Sequence, residues 1–280
     1  MTPSVGILAE RFTTPAAFLD AAGPFLMQAE VENALILGVA RDLSERDPAT
    51  YSQPYFGCAR DADRVVMCAF RSLPDKVGIT RALDPAAIPV LADAVRTECP
   101  TVREVVGPEP VVGEFARALL GPGARITRKT RIHVLHAVRP LDRQALGALR
   151  IAGGDDLDLI ARWIEGFLRD VHEEGDPREA AERRIREKRF FLWEDGSPVS
   201  MASCSGKTPS GIRVNFVYTP PELRGRGYAS ACVAAMSQVL LWAGNKYCCL
   251  YTDLANPTSN KIYREIGYEP VCDAASYGLE

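Results

Sequence analysis

Short strand-like runs alternate with helix-like segments along this chain, and the same order of elements is passed through twice. Strands alternating with helices bury a sheet between helical layers, so the pattern predicts an α/β fold with a mixed sheet. The first 40 residues read as two helices separated near Gly23-Pro24, with apolar positions at helical spacing over 25–37. After a polar loop at 41–54, strands are expected at 55–60, 65–71 and 77–80, and a helix opening at Asp84-Pro85 and reaching Glu98. A strand at 102–106, a helix at 109–120 and a strand at 131–138 complete the first pass. The second pass has a linker and first strand within 140–152, then helices at 155–171 and 177–188. Hairpin strands follow at 190–194 and 199–205 around Asp195-Gly196, with a strand at 212–218, a helix at 227–243 and Gly244 at its C-terminal cap. A strand at 247–252 and a short helix at 259–266 close it. Tyr55-Phe56 with Arg64-Val65-Val66-Met67 is echoed by Phe190-Phe191 with Pro198-Val199-Ser200-Met201. The chain therefore divides into 1–140 and 141–280, two halves related by a diverged duplication.

Composition narrows the partners. With 33 Lys and Arg against 36 Asp and Glu, the net charge of −3 supplies no field that would draw nucleic acid or an anionic membrane surface. A small-molecule or peptide partner is the expectation, with no nucleic acid and no membrane; a homodimer is left open. The mildly apolar stretch 16–40 is broken by Asp20, Gln28, Glu30 and Glu32, so it reads as neither a signal peptide nor a membrane span. Eight cysteines without a C-x-x-C pair read as buried reduced thiols in a cytoplasmic protein. His133 and His136, three apart on an expected strand, point to opposite faces, and no metal is expected.

The chemistry concentrates in Val214-Asn215-Phe216-Val217-Tyr218-Thr219-Pro220-Pro221-Glu222-Leu223-Arg224-Gly225-Arg226-Gly227-Tyr228-Ala229, a strand that passes through a Gly/Arg loop into a helix. Two glycines let backbone approach a ligand, and the unpaired N–H groups at a helix start favour an anion. Arg224 and Arg226 add charge. A phosphate cradle is one reading; a solvated turn with two surface arginines is the other. G-x-x-x-x-G-K-[ST] is absent, and Gly225-x-Gly227-x-x-Ser230 lacks the third glycine of a dinucleotide fingerprint.

Downstream stand Asn256-Pro257-Thr258-Ser259-Asn260-Lys261-Ile262-Tyr263 and Ile266-Gly267-Tyr268. With the R-x-x-G-x-A of Arg224 to Ala229, this segment resembles the GNAT superfamily of acetyl-CoA-dependent N-acetyltransferases over roughly 155–280. The resemblance implies two tandem GNAT-like domains, the C-terminal one catalytic, with acetyl-CoA as co-substrate and an amine as acceptor. It implies that backbone N–H groups of the loop Arg224, Gly225, Arg226, Gly227, Tyr228 and Ala229 hold the CoA pyrophosphate. The preceding strand would bulge and splay, so that Phe216, Val217 and Tyr218 lie along the pantetheine and thioester. Tyr263 matches the family's tyrosine near the CoA sulfur, and Asn256 and Asn260 its asparagines near the cofactor. Either asparagine could instead cap the next helix, and Tyr263 could be a packed aromatic.

The equivalent segment of the first half, Gly78 to Pro85, has no glycine at the helix start, and Asp84 would repel a pyrophosphate, so one cofactor site per chain is expected. A general base is harder to find. Some family members carry a glutamate on the strand before the loop, where this chain has Arg213. His172, Glu173, Glu174 and Asp176 border the expected acceptor side; Asp253 and a water relay are further options. Glu173 and Glu174 are the candidates taken forward, although that charge run also reads as a solvated loop. Without a competent base, the chain would be a non-catalytic acyl-CoA-binding or sensor protein.

Overall fold

Twelve strands hydrogen-bond side by side in the computed structural model, which describes residues 6–46, 54–142 and 145–279. In chain order the first elements are β1 (Leu8–Phe12), α1 (Pro15–Leu26), α2 (Ala34–Ser44), β2 (Tyr55–Asp61), β3 (Arg64–Leu73), β4 (Lys76–Ile79), α3 (Ala87–Glu98), β5 (Glu104–Pro108), α4 (Val111–Leu120) and β6 (Arg125–Leu135). The same order returns as β7 (Ala148–Ile151), α5 (Leu157–Val171), α6 (Pro177–Arg186), β8 (Phe190–Glu194), β9 (Pro198–Ser205), β10 (Gly211–Tyr218), α7 (Tyr228–Trp242), β11 (Tyr247–Asp253), α8 (Pro257–Ile266) and β12 (Glu269–Gly278).

The sheet runs β1-β2-β3-β4-β5-β12-β6-β11-β10-β9-β8-β7. It reads alike from both ends except that the last strands of the two halves have changed places. β12 lies against β5, with Ala274 opposite Pro108, and β6 lies against β11, with Cys248 opposite Leu135. β6 and β12 pair with each other at the centre. Helices cover both faces. Phe115 and Leu91 pack with Met67 on one side of the first half, while Phe18 and Leu37 pack with Phe56 on the other. In the second half Cys232 and Met236 of α7 form a core with Tyr268, and Ile160 and Trp163 of α5 pack with Phe190.

Local chemistry sets the helix starts. Thr14 Oγ1 accepts from the Ala17 N–H at 3.2 Å, and Asp176 Oδ1 accepts from the Arg178 and Glu179 N–H groups, each at 2.9 Å. Three expectations are corrected. The strand β1 was not anticipated, because Leu8-Ala9-Glu10-Arg11-Phe12 lies on the sheet edge with little buried and shows no alternation. The first helical break falls at 27–33 rather than at Gly23-Pro24: α1 carries Pro24 inside it, forgoing that residue's N–H bond, and continues to Leu26. The strand expected at 131–138 is β6, and it starts at Arg125: its charged first half reads as a loop, yet Arg128 and Thr130 line a cleft and Arg131 pairs with Asp273.

The halves touch closely where α2 crosses the turn after β9. A Cβ on Gly38 would come within 2.5 Å of the Gly206 Cα, a backbone contact that cannot give way. Gly38→Leu is therefore expected to cost about 1–3 kcal/mol, seen as a melting point several degrees lower in calorimetry. An unchanged melting point would mean that this crossing is not tight.

Candidate active site

β10 begins in parallel register with β11, Gly211 opposite Tyr247 through Arg213 opposite Cys249, and then parts from it. On its other side the pairing with β9 slips between Asn215 and Tyr218, and Phe216 adopts φ +46°. Aromatic burial holds this bulge. The Phe216 ring lies 5.1 Å from Phe167 and 6.1 Å from Phe190, and Tyr218 runs under α5 so closely that a Cβ on Gly166 would stand 2.4 Å from its hydroxyl. Phe216 and Val217 are thereby left out of both ladders.

The chain next turns through Pro221–Leu223 into Gly225 at φ +77° and Gly227 at φ +85°. Packing does not demand glycine at either place: nothing lies within 4 Å of a Cβ on Gly225, and only the Ala145 Cβ, at 3.8 Å, is near one on Gly227. The left-handed backbone does. Gly227 caps α7 without a side chain, and the first helical bond is Ala231 N–H to Gly227 C=O at 3.0 Å. The N–H groups of Tyr228, Ala229 and Ser230 therefore have no backbone acceptor among the described residues, and they stand at the positive end of the helix dipole.

The arginines of the loop do other work. Arg224 donates from Nε to the Thr219 carbonyl at 2.9 Å and from Nη2 to Asp170 at 2.6 Å, so its charge is matched and its side chain braces the loop. Arg226 reaches the Glu222 carbonyl at 3.5 Å and lies by the Tyr228 hydroxyl, which donates to Asp195 at 2.7 Å. What the loop offers an anion is mainly backbone.

At the corner between β11 and α8, Asn256 Oδ1 accepts from the Ser259 N–H at 3.0 Å. Asn260 donates to the Asp253 and Asn256 carbonyls at 2.9 and 2.7 Å and accepts from the Thr252 hydroxyl at 2.8 Å. Both amides thus shape the corner, the capping alternative noted above. Tyr263 follows on α8, its ring edge-on to Tyr268 at 5.7 Å. Burial raises its phenol pKa above the ordinary value, and the residue lines the same cleft as Phe216, Gly225 and Gly227.

That cleft, of about 1870 Å³, is walled by both halves: Leu35 and Val39 of α2, Arg128 and Thr130 of β6, and the loop after α5. His172 ends α5 in the left-handed conformation and turns Glu173 and Glu174 to the cleft. Glu173 is paired with Arg128 at 2.6 Å, while Glu174 has no ion-pair partner among the described residues. Arg213 occupies the β10 position where a glutamate could have acted as base. In the first half, Asp84 Oδ1 accepts from the Ala86 N–H at 2.9 Å, filling the place of a cradle with a carboxylate. Among the described residues no three His, Cys, Asp or Glu side chains converge to hold a metal ion, and no helix is long and apolar enough to cross a membrane. Two groups at this site had no signal in the sequence. Arg184 lies in the charged helix α6, which reads as solvated, and Asn215 precedes a bulge that only the structure displays.

A bulged strand parting from its parallel neighbour thus leads into a side-chain-free helix start that offers backbone N–H groups. Residues 157–268 match the acetyltransferase (GNAT) family. The whole chain has that fold. A GCN5-related N-acetyltransferase from Sphaerobacter thermophilus superposes with a TM-score of 0.63 at 14% identity, over 97% of this chain and 94% of the other. One from Kribbella flavida gives 0.62 at 16%, over 90% and 95%. A tandem GNAT protein from the clavulanic acid biosynthesis pathway gives 0.58 at 12%, over 97% of each chain. No curated protein matches the sequence.

Proposed function

We propose that the C-terminal half binds acetyl-CoA and transfers its acetyl group directly to a primary amine of a small molecule or peptide. The observation that carries this reading is the parting of β10 from β11 immediately before the uncapped start of α7. The residues fit such a co-substrate: Gly225, Gly227 and the N–H groups of Tyr228 and Ala229 suit a pyrophosphate, and the unpaired backbone of Phe216 and Val217, next to Tyr218, suits an amide-bearing arm and a thioester carbonyl. Bound acetyl-CoA supplies an activated acyl carbon.

This chain's side chains then manage protons. A carbon–nitrogen bond forms as the carbon–sulfur bond breaks, and the amine loses a proton to Glu173 or Glu174, directly or through water. Tyr263, its pKa raised by burial, stays a phenol across the physiological range. Proton transfer from it to a thiolate of reference pKa about 8.5 is uphill, so its part is a hydrogen bond to the departing sulfur. Tyr263→Phe is expected to lower kcat about 100-fold while acetyl-CoA affinity stays within about two-fold. Equal loss of affinity would make Tyr263 a packing residue.

The first half, 1–140, is read as a degenerate GNAT-like domain that completes the acceptor side of the cleft. Eight unpaired cysteines suit a reducing, cytoplasmic setting. Arg213 in place of a strand carboxylate favours a second reading, a non-catalytic acyl-CoA sensor. Release of free thiol from acetyl-CoA in the presence of amines, abolished in Tyr263→Phe, separates the two.

A further inference from the structure

Most cations of the cleft have an acid to match. Arg128 is tied to Glu173, Arg224 to Asp170, and Arg189 to Asp42 and Glu187. Arg183, Arg184 and Arg213 line the cleft as well, and none of them has an ion-pair partner among the described residues. Arg184 is the most exacting. Its guanidinium carbon lies 4.6 Å from the centroid of the Phe216 ring, its Nε is buried without an acceptor, and Nη1 reaches only the Ala180 carbonyl, at 3.4 Å. Burial, with Arg183 and Arg213 nearby, lowers its pKa to about 10. Glu187 acts on it only from beyond ion-pair distance, and a buried cation with no acid in contact is a cost that an arriving anion reduces. Asn215 Oδ1, one residue before the bulge, is likewise buried without a donor.

We propose that this wall selects the acceptor: an amine bearing an anionic group, carboxylate or phosphate, a few bonds from its nitrogen, with the anion against Arg184 and Arg213 and the amine at the Phe216 bulge. The assignment rests on the acetyl-transfer reading above for the amine, but the anion site stands on the arginines. The short separation follows from Arg184 stacking on the very residue that forms the bulge. The pyrophosphate cradle belongs to α7 and leaves these arginines unmatched, and a polycationic amine would be repelled by them.

The test uses the full-length protein and matched acceptors: glycine and β-alanine against glycinamide, and phosphoethanolamine against ethanolamine. Melting shifts are recorded for acetyl-CoA, N-acetylglycine and N-acetylglycinamide, and thiol release is measured for each amine. The expected result is a kcat/KM at least 10-fold higher for an anionic amine than for its neutral counterpart, and a shift with N-acetylglycine but not with its amide. Preference for the carboxylate or for the phosphate member identifies the source of the anion. Arg184→Gln should cut that preference at least 10-fold while the acetyl-CoA shift is kept. If that variant does not fold, Arg213→Gln, at a half-buried position, gives the same reading. A protein that shifts with acetyl-CoA yet treats anionic and neutral amines alike, or responds to neither, overturns the inference and keeps the functional reading. A shift with N-acetylglycine and none with acetyl-CoA does the reverse.

Discussion

Gly227→Val is expected to abolish acetyl-CoA binding while leaving the fold intact. Wild-type protein with acetyl-CoA at about 100 times its dissociation constant gains about 2.7 kcal/mol, a shift of about 5 °C for a chain of this size. Valine at φ +85° places a branched side chain in left-handed backbone, at a cost of about 1–3 kcal/mol. The helix start can escape that strain only by rotating its N–H groups off their aim. Each charge-assisted bond lost is worth about 1.5–3 kcal/mol, so affinity should fall at least about 100-fold. The open space around Gly227 means that the core is not disturbed, which circular dichroism would verify. A full acetyl-CoA shift in this variant would remove the loop from the binding site.

A second large effect follows from the cysteines. Burial raises all eight thiols, and Cys232, Cys248 and Cys249, each 0% exposed, are pushed up to about 12. A thiol is neutral when protonated, and here the folded-state value lies above the unfolded one, near 9. Their contribution is thus complete below about pH 9 and is lost as pH rises from there toward about 12, because the unfolded chain ionises first. From pH 8 to 10 each thiol costs on the order of 1 kcal/mol, and the three together a few kcal/mol. Melts under reducing conditions should therefore drop by several degrees over that range. A flat profile would show that the thiols are wet in the folded protein. Replacing Cys249 by alanine should flatten the curve in part, even as it lowers the plateau.

The sequence made the second half far more legible than the first. Asp195-Gly196, Gly244 and the Gly225/Gly227 pair are backbone signals, and the structure gives all four glycines positive φ. Asp176-Pro177 is a cap whose chemistry is local, and it too was readable. Long-range facts were not. Nothing in Arg125 to Arg131 says that this charged run lies at the centre of a twelve-stranded sheet, because its side chains meet partners 142 residues away, as Arg131 does with Asp273. The bulge at Phe216 depends on rings from α5 and β8, and the solitary charge of Arg184 depends on which acids happen to face other arginines. Roles for Asn256 and Asn260 stayed divided between ligand and cap until their hydrogen bonds could be seen.

The exchange of β6 and β12 makes the two halves interdependent during synthesis as well as in the finished sheet. β5 finds its neighbour β12 only when Glu269–Gly278 arrive, and β11 rests on a strand made long before it. Early domains of a growing chain commonly fold as they emerge, but this first half must wait with an open strand edge, the kind of surface that recruits wrong partners. Its slowest contacts are also its most distant in sequence. Each half is in this way completed by the other: neither can close its sheet without a strand lent by its neighbour.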